Sequence, residues 1–318
     1  GAQFPELLRS LQEQPEGMPS LHIGVTTSTM SIFPFNDMPG CSEPANNGRL
    51  VFGEDGTCWG LAGPAPKYLV DVVPQDCTIT RDASGMCTHA CSEESCSWEA
   101  QGGQEPEGLS LVEDENGCPR CRNFTGKTLE EMFQCASRVG MRGCGFEQPL
   151  EAMRSALRVD YPENHGFFRE GSHVAVMIVM DEDDCSASDT RLFGFGTEYR
   201  EQFGAFSSFR CTQWGIVCAE PWDMDQVRNT GSRYLTGCTS RPEGDPVSIL
   251  FPISRYTQTL LKVRPHPSQI SVAAITGPTD FTLLIGLDEN QNPELQFSCG
   301  EAVPSVRIAE FIASLTSP

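Results

Sequence analysis

The chain has 318 residues, enough for one large domain with insertions or for two ordinary domains. Apolar residues make up 39% and aromatics 8%, which supports a real core and excludes wholesale disorder. With 22 Lys+Arg against 43 Asp+Glu, the net charge of −21 argues against nucleic acid and anionic membrane surfaces as partners and suits a cation-binding or simply very soluble surface. No apolar stretch reaches the length of a transmembrane helix. The first residue is Gly1 and no signal peptide follows it, so targeting information is expected to have been trimmed away. Fifteen cysteines lie scattered through Gly/Pro/Ser-rich loops. That distribution fits disulfides and an oxidising compartment better than metal clusters.

Along the chain, Phe4, Leu7, Leu8 and Leu11 recur at helical spacing until Gly17 and Pro19 stop the run. Leu21–Val25 reads as a short strand, and Arg49–Phe52 as a second, edge strand. Residues 53–122 read as an insertion held by disulfides rather than by its own core, because Gly, Pro, Ser, Glu and seven cysteines dominate it. Thr128 and Glu131 have capping-box spacing, and Leu129, Met132, Phe133, Ala136 and Val139 form the apolar stripe of a helix ending at Gly140. Pro149 suits the first position of a second helix through Leu150, Met153 and Leu157. His173–Met180, in which seven apolar residues follow His173, reads as a central, fully buried parallel strand. Residues 185–250 form a second cysteine-containing, loop-rich insertion. Tyr256, Leu260, Leu261 and Val263 mark a helix, and Ser271–Ile275 a buried strand. Phe281–Leu287 and Glu294–Cys299 flank a turn as a hairpin, and Ile308, Phe311, Ile312 and Leu315 mark a closing helix. Helices alternating with strands predict an α/β fold, a doubly wound, mainly parallel sheet within a single domain over 1–318.

Several motifs have ordinary explanations. Gly126-Lys127-Thr128 ends like a phosphate-binding P-loop, but Cys121 stands where a Gly is required, so Thr128 reads as a helix cap. Cys87, His89, Cys91, Cys96, Cys118 and Cys121 have partial zinc-knuckle spacing. With no second CxxC, disulfides are the preferred reading. Cys135 and Cys144 bracket a turn between two helices and are expected to pair with each other. Cys211–Cys218 is a plausible small loop, with Cys211–Cys238 and Cys218–Cys238 as competitors; the odd total leaves one cysteine free or bonded outside the chain. Asp288-x-Asn290-x-Asn292 imitates an EF-hand loop, but Pro293 occupies the position that needs Gly, so an exposed turn is expected. No Gly-x-Ser-x-Gly elbow or His-Glu-x-x-His motif occurs, and no catalytic residue is assigned.

The most informative feature is the end of the apolar run, Met180-Asp181-Glu182-Asp183-Asp184-Cys185. Open α/β sheets carry ligands just past the carboxyl ends of their strands. Four adjacent acids repel one another unless a positive charge sits among them. A hard divalent cation, Mg²⁺ or Ca²⁺, is the natural candidate, with Asp181 as ligand and Asp183, Asp184 or Glu147 as direct or supporting groups.

Phe4-Pro-Glu-Leu-Leu8, Leu21-His-Ile-Gly-Val-Thr-Thr27, Gly143-Cys-Gly-Phe-Glu-Gln-Pro-Leu-Glu-Ala-Met153, Met180-Asp-Glu-Asp-Asp-Cys-Ser186, Phe251-Pro-Ile-Ser-Arg-Tyr256 and Ala273-Ala-Ile-Thr-Gly-Pro278 run in this order. Together they resemble the cysteine-rich von Willebrand factor type A-like (VWA-like) lipoproteins of gliding and predatory Gram-negative bacteria. The resemblance implies a doubly wound sheet with a metal-ion-dependent adhesion site at its top. Of the family's ligand positions, the Asp after the fourth strand falls on Asp181. The Thr position falls near Cys144, with Glu147 the nearest oxygen ligand, and the Asp-x-Ser-x-Ser motif would lie upstream of Phe4. The resemblance also implies a central strand between Leu21–Val25 and His173–Met180. That strand is expected from an upstream segment or from a neighbouring chain. The expected function is therefore adhesion: a secreted or outer-surface protein, lipid-anchored through an upstream segment, that binds a protein or polysaccharide ligand. A structural subunit of an extracellular fibre with a vestigial metal site is the alternative, and a metal-dependent hydrolase ranks last.

Overall fold

The computed structural model describes residues 10–11, 14, 17–38, 40–41, 45–53, 58, 67–97, 108–140, 142–157 and 161–316. The first expected helix, over Phe4–Leu11, lies almost wholly outside them. The chain's contacts cluster into two compact units. One comprises Gly1–Thr26, Arg49–Met141 and Arg158–Ser172; the other comprises Thr27–Gly48, Arg142–Leu157 and His173–Pro318. The protein is a mixed α/β chain with several small sheets and seven disulfides.

The first unit contains strands β1 (Leu21–Gly24), β2 (Tyr68–Val72), β3 (Ile79–Arg81), β4 (Cys87–His89), β5 (Ser110–Glu113) and β6 (Pro119–Arg122). Four of them form an antiparallel sheet in the order β1-β2-β6-β5, and β3 and β4 pair separately. Every residue of β2 is buried, so this strand is the centre of the unit. One of its five residues is Asp71, whose carboxylate is paired with both Arg120 and Arg122 of β6. Arg120 also donates to the carbonyls of Met18 and Pro19 at 2.7 Å each. A charge buried in a strand is tolerated only when satisfied in this way. The helix Leu129–Ala136 begins with the expected capping box. Glu131 N donates to Thr128 Oγ1 at 3.2 Å and Thr128 N donates to Glu131 Oε2 at 2.9 Å. Its buried face, Leu129, Met132 and Ala136, packs with Met18, Phe52, Leu69 and Phe124.

Two expectations change here. Residues 53–122 supply β2 through β6 and much of the unit's core, so disulfides alone do not hold them. β1 pairs with β2 (Tyr68–Val72) in an antiparallel sheet rather than lying in a parallel one, and β7 (Val174–Val179) belongs to a separate two-stranded sheet. Arg49–Phe52 forms no strand; Val51 makes a single antiparallel bridge to Val25.

The second unit holds β7, β8 (Ile216–Val217), β9 (Arg233–Leu235), β10 (Thr239–Ser240), β11 (Ile270–Ile275), β12 (Leu283–Leu287) and β13 (Pro293–Leu295). β7 and β11 pair in parallel from Ile270↔Val174 to Ile275↔Val179. All other strand pairings among the described residues are antiparallel, which corrects the expectation of a mainly parallel sheet. The sheet β13-β12-β9 includes the expected hairpin, turned at Asp288, whose carboxylate accepts from the backbone N–H groups of Asn290 and Asn292. Helices Pro149–Ala156, Ser254–Val263 and Val306–Thr316 fall where the apolar spacing put them. Phe146, Leu192, Phe193, Phe203 and Leu250 form one core cluster, and Phe209, Ile216, Val227, Leu283, Ile285 and Val306 another.

The ten cysteines named as disulfide partners are all bonded, but not all as expected. Cys135 pairs with Cys58 and Cys144 with Cys41. Cys135 sits at the end of a helix in the first unit, whereas Cys144 belongs to the second and faces Cys41 across a backbone bridge. Cys218 pairs with Cys238, one of the competing readings, and Cys211 takes Cys185. The zinc-like cluster resolves into Cys77–Cys91, Cys87–Cys118 and Cys96–Cys121. Cys299 is the one free, exposed thiol.

Candidate functional site: the acidic end of β7

The backbone of β7 continues to Met180, whose N–H donates to Ile275 O at 3.0 Å. The four acids that follow then diverge. Asp183 is spent on the closing helix: its carboxylate accepts from Arg307 N and Ile308 N at 2.9 and 3.2 Å, at the positive end of helix Val306–Thr316. Burial pushes its carboxyl up to about 6, opposed by those amides and by the Arg307 charge. Asp184 is fully buried and pairs with the equally buried Arg307 guanidinium at 3.1 Å. It also accepts from Leu150 N at 3.1 Å and from Ser186 Oγ, which itself accepts from Glu151 N at 3.0 Å. These two acids thus anchor the first turns of two helices to the end of β7.

The other two acids are placed differently. Asp181 is exposed, and its backbone carbonyl accepts from Val303 N at 2.9 Å. Glu182 is half-buried, with Ser208 Oγ donating to its carboxylate at 3.2 Å. Burial and then the Asp181 charge raise its proton affinity, against the Ser208 bond. Glu147 comes in from the segment before helix Pro149–Ala156, fixed by Cys185 N donating to its carbonyl at 2.8 Å and by Gln148 N donating to Ser28 O at 3.0 Å. Burial first, then the charges of Glu182 and Asp181, push its carboxyl up to about 7. Its Oε2 is buried with no hydrogen-bond partner among the described residues. Among the described residues, each influence on this carboxyl disfavours its charged form, and none is a cation.

The structure therefore brings Glu147 and Asp181 into one electrostatic neighbourhood with Glu182, and assigns Asp183 and Asp184 to internal partners. Among the described residues, no three His, Cys, Asp or Glu side chains are arranged to hold a metal ion. Arg307, Ser186 and Ser208 escaped sequence reasoning. For Arg307 a signal existed: it is a lone cation in the apolar string Val306-Arg-Ile-Ala-Glu-Phe-Ile312, and a buried charge needs a partner. No helix among the described residues is long and apolar enough to cross a membrane.

Compared with known proteins, the chain matches no family model, no characterised protein and no solved structure.

Proposed function

We propose that this chain is a secreted or cell-surface binding protein whose ligand site is the acidic end of β7. There Glu147, Asp181 and Glu182 take up a positive charge that the chain does not supply. The observation that carries this reading is the Glu147 carboxyl, which is unpartnered at Oε2 and held up to about 7 by burial and two neighbouring carboxylates. Clusters of ionisable groups with displaced proton affinities at a strand's carboxyl end are characteristic of ligand sites. Seven disulfides fit an oxidising, extracellular setting. The VWA-like resemblance supports the same reading. It would make β7 and β11 neighbouring strands of a doubly wound sheet and Asp181 a ligand of Mg²⁺ or Ca²⁺, the shell being completed by a partner's carboxylate. Since the three carboxylates are not already arranged around a common point, an ion would have to draw them together, and modest affinity is expected.

Calorimetric titration with Ca²⁺ and Mg²⁺ tests the reading. The wild-type protein is expected to bind at the site, and Asp181→Ala and Glu147→Gln to lose that binding, while Asp288→Asn in the exposed turn keeps it. Cation binding that is identical in all four proteins would place the charge-seeking site elsewhere.

A further inference from the structure

β7 and β11 form a two-stranded parallel sheet, and among the described residues no strand pairs with either outer edge. Parallel sheets are ordinarily covered on both faces, and a pair of strands alone is marginal. One face of this pair is covered: Val174 and Ile178 are buried, and helix Val306–Thr316 packs against β11. The opposite face carries Ala175, Met177 and Val179 from β7 and Ser271, Ala273 and Ile275 from β11, all exposed. Met177 is 44% exposed, Val179 63% and Ile275 52%. Because Met180 N–H points at Ile275, the even-numbered residues of β7 bond to β11. The N–H and C=O groups of Ala175, Met177 and Val179 therefore point outward, along the open edge. The same edge runs directly into Asp181 and Glu182.

We propose that the open edge of β7 receives an extended segment of a partner protein. This segment pairs with the backbone of Ala175, Met177 and Val179 and lays alternate apolar side chains beside Met177, Val179 and Ile275. It places a lysine or arginine against Glu147, Asp181 and Glu182. Strand addition of this kind draws affinity from main-chain hydrogen bonds and specificity from side chains. Charge complementarity selects the occupant. Asp181 lies exposed directly beyond the edge, Glu182 follows it, and Glu147 Oε2 is buried with no hydrogen-bond partner among the described residues, so a basic residue at the end of the incoming strand meets an acidic site. A second copy of this chain, at a net charge of −21, is a poorer occupant. The charged half of this proposal rests on the reading of the acidic site above; the strand half rests on the edge and the exposed face alone.

The test uses the full chain and synthetic eight-residue peptides of alternating valine and threonine. One bears lysine at its C-terminus for parallel addition and one bears it at its N-terminus for antiparallel addition; glutamate versions serve as controls. Fluorescence anisotropy gives the affinities, and amide hydrogen exchange locates the contact. One lysine peptide is expected to bind roughly tenfold more tightly than its glutamate twin. It should also slow exchange at Ala175, Met177 and Val179. N-methylation of the peptide amides that face β7 should abolish binding without touching the protein's own fold. The lysine preference should vanish in Asp181→Asn. If neither peptide protects those three amides, strand addition is wrong while cation uptake stands. If protection occurs with equal affinity for lysine and glutamate peptides, the acidic site does not read charge and that half is wrong.

Discussion

Replacing Glu147 by glutamine removes a charge and keeps the shape, and the structure dictates how stability should respond. The carboxyl rises from an ordinary value of 4.5 to about 7 because burial, Glu182 and Asp181 all disfavour its ionised form. A raised value in the folded state means that the unfolded chain releases its proton first. The stabilising contribution is thus complete below pH 4.5, declines as the unfolded state ionises, and is lost once pH passes about 7. The full displacement corresponds to roughly 3 kcal/mol; solvent reaching this half-buried side chain brings the expected penalty to about 1–2 kcal/mol. Glutamine has no such titration. In urea unfolding followed by circular dichroism, Glu147→Gln and wild type should coincide at pH 4. The variant should then be the more stable by about 1–2 kcal/mol at pH 8. Millimolar Ca²⁺ should narrow the pH 8 gap by stabilising wild type only, since an ion that binds the folded form alone shifts the equilibrium toward it. Parallel pH–stability curves for the two proteins would refute the argument that Glu147 sits among uncompensated negative charge.

Arg307→Met should destabilise the second unit by about 3–5 kcal/mol, because Asp184 would be left charged and buried without its partner; equal urea midpoints for variant and wild type would contradict this. Thr128→Ala removes the capping acceptor of helix Leu129–Ala136 and should cost about 1 kcal/mol, read as a lower thermal midpoint for the first unit. Denatured but unreduced protein should titrate a single thiol, assigned to Cys299 by peptide mapping, and reduction should raise the count to all 15; several free thiols before reduction would undo the pairing described here.

The elements most legible in the sequence were those whose pattern is local. Helix Leu129–Ala136 announces itself by Thr128 and Glu131, and helix Pro149–Ala156 by its first-turn proline, because caps and apolar spacing act within one or two turns. The hairpin around Asp288 is read from the same kind of local chemistry. What failed was non-local. Tyr68–Val72 lies among Gly, Pro and cysteine and looks like part of a loop, yet it is the buried centre of a sheet whose neighbours, β1 and β6, lie about 50 residues away on either side. Cys135 and Cys144 are close in sequence but belong to different units, so proximity along the chain misled the pairing. The run His173–Met180 predicts a strand buried on both faces because every residue after the first is apolar, whereas β7 alternates between more buried and exposed positions. Composition reports how much apolar surface a strand has, and a single sequence does not report which face a partner covers.

The site illustrates the same division in electrostatic form. Four consecutive acids look like one cluster, but in a medium of low dielectric each carboxylate must find its own compensation. Asp183 finds the amides of a helix start and Asp184 finds Arg307, both from residues more than 100 positions away, so neither role could be read from spacing. Among the described residues, no cation is among the influences on Glu182, and a third carboxylate, Glu147, is folded in beside it and Asp181. A fold that satisfies two acids of a string this thoroughly could have satisfied all of them, or replaced them with neutral side chains, at little cost in stability. These acids lie where, among the described residues, the backbone edge of Ala175, Met177 and Val179 pairs with no strand and its apolar face is exposed. Native sequences break local rules chiefly where function requires it. Three different rules, on charge, on backbone pairing and on apolar burial, are broken along a single strand, and a ligand that brings a cation on an extended apolar segment repairs all three at once.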